Sequence, residues 1–304
     1  MIIMKDIIIL ADFCGPLDGT ANSRFLYLAQ MLSSNSKVEI VTSDFNHGSK
    51  NYFDYEIEEH SYPITMLHEG KYSKNVCLQR FYAHYIWGRN VKKYLEKRVK
   101  PDVIYCAIPT LTAAYEAAEY CIKNNVRFVI DVQDLWPEAF QMVFHVPVVS
   151  DIIFAPLKWM ANKIYSSADE IIAVSNTYCQ RANSVNKKVK NTHTVFLGTD
   201  LATFDMNAKK HHVERSDDEI WLGYCGTLGH SYDLKCVMDA MVKLKEKGVL
   251  NLKFVVIGDG PLKDEFERYA KESGVNVDFT GRLPYDEMCG RLTACDIAIN
   301  CIAK

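Results

Sequence analysis

Its residues alone predict an α/β protein made of two parallel-sheet domains, and three observations carry this prediction. Short apolar runs alternate with helical patterns along the 304 residues, as in strands joined by crossover helices. Two of the runs, Trp221-Leu-Gly-Tyr-Cys-Gly-Thr-Leu-Gly-His230 and Phe254-Val-Val-Ile-Gly-Asp-Gly-Pro261, end in glycines that open onto a helix. A polar stretch, residues 205–218, separates two series of such runs and reads as a linker. The expected domains are therefore 1–204 and 219–304.

In the first series the apolar runs predict strands near 6–11, 37–42, 63–67, 102–106, 127–131, 169–174 and 192–196. Helical patterns between them predict helices near 20–33, 75–99, 110–124, 150–166 and 177–185. The opening Met1-Ile-Ile-Met-Lys-Asp-Ile-Ile-Ile-Leu10 reads as the first strand rather than a signal peptide, because Lys5 and Asp6 split the run and no small-residue cleavage site follows. The second series predicts strands at 220–225, 252–257, 276–280 and 296–301, with helices at 233–247, 262–273 and 285–293. It stops at Lys304, straight after a strand, and a sheet lacking its next helix leaves an apolar face bare, so the chain reads as a fragment or a truncation.

Composition narrows the class. A hydrophobic share of 48% suits two domains with substantial cores, and a formal net charge of -3 gives no sign of a nucleic-acid partner. Among ten cysteines there is no C-x-x-C pair, and Cys106, Cys225 and Cys301 lie in apolar runs, which predicts reduced thiols and a cytoplasmic setting. No run reaches the roughly 18 apolar residues of a membrane span, so membrane contact is expected to be peripheral. No Asp-x-Asp or ligand-spaced His/Cys set predicts a metal, no cofactor is expected, and no Ser-His-Asp arrangement appears. The glycines at 223, 226 and 229 give G-x-x-G-x-x-G rather than the dinucleotide fingerprint, which argues against a dehydrogenase.

Gly226 and Gly229, flanking Thr227 and Leu228, permit close approach of a diphosphate to the backbone. Asp259 and Gly260 form a second turn of this kind, although Asp259 can equally cap a helix opened by Pro261. These residues resemble the donor domain of retaining GT-B glycosyltransferases of family 4, two Rossmann-like domains facing a cleft. The resemblance implies that Gly226–Gly229 faces a sugar diphosphate and that Arg282 and Leu283, after Thr280-Gly281, flank the nucleotide base. The cation that the family usually has in or after the glycine loop is absent, with Lys235 the nearest. Two donor-binding glutamates that follow the last strand in the family are also missing, and their loss implies donor binding weakened by about 10²–10⁴-fold.

On the acceptor side, Asp12-Phe-Cys-Gly-Pro-Leu-Asp-Gly-Thr-Ala-Asn-Ser-Arg24 is a loop at the carboxyl end of the first strand, where open α/β sheets place ligands. Gly15, Gly19 and Thr20 match the family's phosphate-side loop, and Arg24 is a candidate anion contact; a plain turn and helix cap is the alternative. In Arg127-Phe-Val-Ile-Asp-Val-Gln-Asp-Leu-Trp-Pro-Glu-Ala-Phe140, the carboxylates Asp131, Asp134 and Glu138 crowd an apolar Leu-Trp-Pro, surroundings that suit acid–base chemistry. The stretch resembles the Asp-Leu-Trp-Pro subgroup that assembles capsule, O-antigen and exopolysaccharide units, including N-acetylfucosamine transferases, with Gln133 where many members have histidine. Residues 74–100 carry eight Lys/Arg against the single acid Glu96, with aromatic residues interleaved, a face suited to anionic headgroups or to plain solvation.

Together these readings predict a retaining transferase moving a sugar from a nucleotide-sugar donor to a lipid-linked saccharide at the inner face of the cytoplasmic membrane. Asp131 or Asp134 would orient or deprotonate the acceptor hydroxyl. The alternatives are a nucleotide-sugar epimerase of the same fold and a non-catalytic sugar- or partner-binding fragment.

Overall fold

The computed structural model describes residues 4–15, 17, 23–54, 57, 59–75, 77–143 and 149–303. The chain divides into two compact units, Met1–Gly198 and Thr199–Lys304. In the first, β1 (Lys5–Leu10), α1 (Arg24–Ser33) and β2 (Ser36–Ser43) lead to a small antiparallel pair, β3 (Phe45–Asn46) and β4 (Asn51–Tyr52). There follow β5 (Ile64–Leu67), α2 (Leu78–Lys97), β6 (Val103–Ile108), α3 (Leu111–Asn124), β7 (Arg127–Val132) and α4 (Glu138–Val143). The unit closes with α5 (Val149–Ser167), β8 (Glu170–Ala173), α6 (Asn176–Asn183) and β9 (His193–Thr194).

Its parallel sheet has the order β5-β2-β1-β6-β7-β8-β9. The chain winds one way from β1 and the other way from β6, so the carboxyl ends of these neighbours form the switch point where such sheets bind ligands. β1 shows why the apolar run is continuous: Ile8 and Leu10 pack with Trp87, Val91 and Leu95 of α2, while Ile9 packs on the other face with Phe25, Leu26 and Ala29 of α1. Ser23 starts α1 by accepting a hydrogen bond from the Leu26 N–H at 3.3 Å.

The second unit begins with α7 (Leu201–Lys210) and continues with β10 (Ile220–Cys225), α8 (Leu234–Glu246), β11 (Leu252–Ile257), α9 (Lys263–Ser273), β12 (Val277–Gly281), α10 (Tyr285–Thr293) and β13 (Ile297–Ala298). Its parallel sheet runs β12-β11-β10-β13. Phe254 and Val256 face Val237, Met238 and Phe266, whereas Val255 and Ile257 face Leu292 and Met288.

Three expectations are corrected here. Residues 205–218 are not a linker throughout: up to Lys210 they are the end of α7, capped by Asp200, whose Oδ1 accepts from the Thr203 N–H at 3.2 Å. This helix buries little beyond Ala208 and so looks like solvated chain, yet it lies so close to α10 that a Cβ on Gly290 would meet the His211 carbonyl at 1.9 Å. The last strand is shorter than expected, Ile297–Ala298, with the N–H groups of Asp296 and Ile299 also donating to the Trp221 and Gly223 carbonyls.

The basic face of 74–100 is interrupted too. Arg80 is buried, Arg98 is held by Asp6 at 2.7 Å and Glu39 at 2.8 Å, and Lys92 pairs with Glu116 at 3.0 Å. Lys93, Lys97 and Lys100 remain exposed, as do Leu78, Tyr82 and Tyr85. Among the described residues no helix is long and apolar enough to cross a membrane.

Candidate active site

At the switch point of the first unit, the segments after β1, β6 and β7 bring Phe13, Pro109, Gln133 and Asp134 around a cavity of about 420 Å³. Trp136 and Phe140 form an aromatic wall with their rings 4.6 Å apart, and Arg80 and His47 complete the lining. The Trp136–Pro137 peptide bond is cis.

Asp134 is the carboxylate that faces this cavity. Its Oδ1 accepts from the Leu135 N–H at 2.9 Å and its Oδ2 from the indole N–H of Trp136 at 3.1 Å. These neutral donors fix its direction without cancelling its charge. Gln133 lines the same cavity and donates to Asp131 Oδ2 at 3.3 Å.

Asp131 is different. It is fully buried, and it accepts from Arg24 Nε at 2.6 Å, Arg24 Nη2 at 3.3 Å and the Tyr105 hydroxyl at 2.8 Å. Burial raises the Tyr105 hydroxyl far above its usual range, and Asp131 adds to the shift. Asp131, expected as an acid or base, is thus enclosed by Arg24 and Tyr105 and does not line the cavity. Arg24 also donates to the Val195 carbonyl at 3.1 Å, which leaves it committed rather than open to a ligand anion. Glu138 opens α4 and pairs with Arg181 of α6, tying two helices together outside the cavity lining. Gly15 is exposed, and Gly19 and Thr20 lie outside the described residues.

Several site residues escaped the sequence reading. Arg80 stacks over Trp136 at 4.6 Å and donates to the Asn75 carbonyl at 2.8 Å. His47 Nδ1 lies 2.6 Å from the Tyr72 hydroxyl and 3.2 Å from Lys50 Nζ. Lys50 can only donate, so Nδ1 accepts and Nε2 carries the proton. Burial, then the charges of Lys50 and Arg80, push His47 down to about 4, so the ring is neutral near pH 7. Behind the cavity, Asp12, Glu69 and His84 are buried together. Burial holds both carboxyls above the usual carboxylate range and lowers His84 to about 3. No sequence spacing marks these residues, which come from four separate segments.

In the second unit the two glycine turns form one interlocked piece. Leu228 N–H donates to the Asp259 carbonyl and the Leu262 N–H to the Leu228 carbonyl, both at 3.0 Å. A Cβ on Gly258, whose φ is +145°, would meet the Gly226 carbonyl at 1.9 Å, and one on Gly260 would meet the Leu228 carbonyl at 2.3 Å. Leu228 is wholly buried, so its side chain is a core anchor rather than a donor contact. Among the described residues the N–H groups of Thr227, Gly229 and His230 have no protein acceptor.

Asp259 does not cap α9: its Oδ1 accepts from the next amide, Gly260, at 2.7 Å. The start of α8 is already filled by Asp233, which accepts from Cys236 N–H at 3.1 Å, and Lys235 is paired with Glu265 at 2.6 Å. What this loop leaves unpaired, among the described residues, is thus a set of backbone amides. Arg282 is exposed after Gly281, while Leu283 packs against the core beside Val255 and Ile257.

Residues 205–301 match the family model "Glycosyl transferases group 1". The colanic acid biosynthesis protein WcaI of Escherichia coli K12 is 22% identical over 206 residues, which is 64% of this chain and 49% of that protein. An alpha-1,4-N-acetyl-D-galactosaminyltransferase of Campylobacter jejuni, named for a PP-undecaprenol-linked saccharide, is 31% identical over 85 residues, 28% of this chain and 21% of that one. The matches thus span less than half the length of these relatives. The crystal structure of Anabaena HepE with UDP and glucose superposes with a TM-score of 0.61 at 15% identity, covering 97% of this chain and 73% of that one. Residues 205–301 are accordingly similar to the glycosyl transferases group 1 domain, in a chain whose two Rossmann-like α/β units share the fold of GT-B structures.

Proposed function

We propose that the protein is a retaining family 4 glycosyltransferase that moves a sugar from a nucleotide-sugar donor to a diphosphate-lipid-linked saccharide during surface-polysaccharide assembly. The observation that carries this reading is the cavity of the first unit, where one oriented carboxylate, Asp134, stands among aromatic faces in a chain whose remainder matches a glycosyl transferase family. Aromatic rings suit the apolar faces of a sugar, and Arg80 supplies positive charge for a linked diphosphate. Asp134 takes or orients the acceptor hydroxyl proton as the new glycosidic bond forms. The free N–H groups of Thr227, Gly229 and His230 stabilise the diphosphate that leaves, without a divalent ion or other cofactor. The C. jejuni relative, named for a PP-undecaprenol-linked saccharide, and the UDP complex of HepE support the choice of acceptor and donor classes. Work at the inner face of the cytoplasmic membrane follows from such an acceptor.

The test is incubation of the full chain with a panel of nucleotide sugars and a diphosphate-lipid saccharide. A lengthened lipid-linked product with retained anomeric configuration is expected. Epimerisation of the nucleotide sugar without transfer would replace the reading with an epimerase. Acceptor binding without turnover on any donor would replace it with a binding protein.

A further inference from the structure

Asp12 follows β1, Glu69 follows β5 and His84 lies in α2, and they are 5%, 0% and 3% exposed. One oxygen of each carboxyl is satisfied: Thr110 donates to Asp12 Oδ2 and Ser43 to Glu69 Oε2, both at 2.6 Å. The other three atoms, Asp12 Oδ1, Glu69 Oε1 and His84 Nε2, are buried without a hydrogen-bond partner. The three side chains each offer a donor atom, and these lie within 4.8 Å of one another.

His84 Nε2 is 3.7 Å from Glu69 Oε1 and 3.9 Å from Asp12 Oδ2. Those separations exceed a hydrogen bond, which ends near about 3.2 Å. They lie close to the edge of a tetrahedral metal shell, about 3.3–3.4 Å for bonds of about 2.0–2.1 Å. Among the described residues no Lys or Arg forms an ion pair with either carboxylate. Arg80 acts on both carboxyls only through space: it stacks over Trp136 and donates to the Asn75 carbonyl, and its Nε has no partner. A proton shared between the two carboxyls would cancel one charge but still leave His84 Nε2 unpartnered.

We propose that Asp12, Glu69 and His84 bind one first-row divalent cation, with imidazole and carboxylate donors of the kind zinc, cobalt and manganese accept. The ion joins the ends of β1 and β5 to α2 and so braces the floor of the cavity, stabilising the folded first unit. This site stands on its own geometry and does not depend on glycosyl transfer.

Cobalt(II) titrated into chelator-treated full-length protein tests it. One equivalent should bind, with visible d–d bands, no thiolate charge-transfer band despite the ten cysteines, a raised Tm and displacement by zinc. Glu69→Gln and His84→Gln should abolish this spectrum. Thr110→Val, which keeps all three ligands and removes only the hydrogen bond to Asp12, should weaken cobalt binding by about 10–100-fold, so the test survives if a ligand variant misfolds. Absence of stoichiometric binding by the wild type, a thiolate-type spectrum, or equal affinity in Thr110→Val would overturn the proposal.

Discussion

Arg24 grips Asp131 with two nitrogens, Nε at 2.6 Å and Nη2 at 3.3 Å, across 107 residues of chain and with the carboxylate fully buried. Burial works to lower Arg24, but the hydrogen bond and charge of Asp131, with Tyr105 adding to them, outweigh it and hold Arg24 above its ordinary value. The pair belongs to the architecture of the site, and its removal should be read first in stability.

Asp131→Asn is therefore expected to destabilise the first unit by about 1.5–3 kcal/mol, the worth of a hydrogen bond to a charged group, because the half-buried Arg24 loses its carboxylate. Arg24→Lys should not restore stability, because an ammonium lacks the planar fork. Urea unfolding followed by fluorescence measures both. An Asp131→Asn protein of native stability would return this carboxylate to the list of chemical groups.

Asp134→Asn should behave oppositely, lowering turnover by about 10²–10⁴-fold while the melting temperature stays near that of the wild type. Its contacts are with neutral N–H donors, and no buried cation is orphaned by the change. Gln133→Ala should cost less. Steady-state kinetics beside thermal melts separates the outcomes, and unchanged kcat in Asp134→Asn would refute its role as base.

The glycine turns offer an internal control. Gly260→Ala drives a Cβ into backbone at 2.3 Å, which neighbours cannot yield cheaply, and should destabilise the second unit by about 1–3 kcal/mol. A Cβ on Gly229 meets nothing nearer than Thr227 Cγ2 at 3.7 Å, so Gly229→Ala should fold normally. Calorimetric titration with UDP and GDP should nonetheless show binding weakened by about 1.4 kcal/mol, a factor of ten, if a diphosphate lies on that loop. Undiminished nucleotide affinity in Gly229→Ala would move the phosphate site elsewhere.

Stability should also carry the mark of His47. Its folded value of about 4 lies below the free value of about 6.5, so in that window the unfolded chain binds a proton that the folded chain refuses. The stabilisation is complete above about pH 6.5 and drains away as pH falls toward 4. His84, pushed down to about 3, acts with the same sign. His47→Gln should flatten the fall between pH 7 and 5 relative to the wild type, and parallel curves for the two proteins would contradict the assignment.

Membrane association, where it occurs, should depend on Lys93 and Lys97 more than on Arg89 and Lys92, which already face Glu116 at 3.7 and 3.0 Å. Each free cation near an anionic surface contributes about 1 kcal/mol, screened over about 8–10 Å at physiological salt. Co-sedimentation with anionic vesicles should fall with added salt and with Lys93→Gln/Lys97→Gln. Binding indifferent to both would mark the helix as a solvated face.

Strands such as β1 and β11 were legible because residues buried on both faces leave no polar gap, and the glycine turns because few residues permit such close approach. α7 was not, since a helix with a single fully buried residue carries almost no apolar period. The cavity was half legible: Gln133 and Asp134 follow a strand in one motif, whereas His47, Arg80 and the Asp12–Glu69–His84 group converge only through topology. Asp131 misled because crowded carboxylates look the same in sequence whether an arginine 107 residues away has claimed one or not.

The contact of α7 with Gly290 decides where this protein can be cut. The family match opens at residue 205, inside that helix, and the next strand opens at 220. Expression of the second half from either point would strip away part or all of a helix, uncover the glycine groove of α10 and discard the Asp200 cap. A stand-alone second half should start at or before Thr199, and any chimera joined at 205 would carry a wound at its seam.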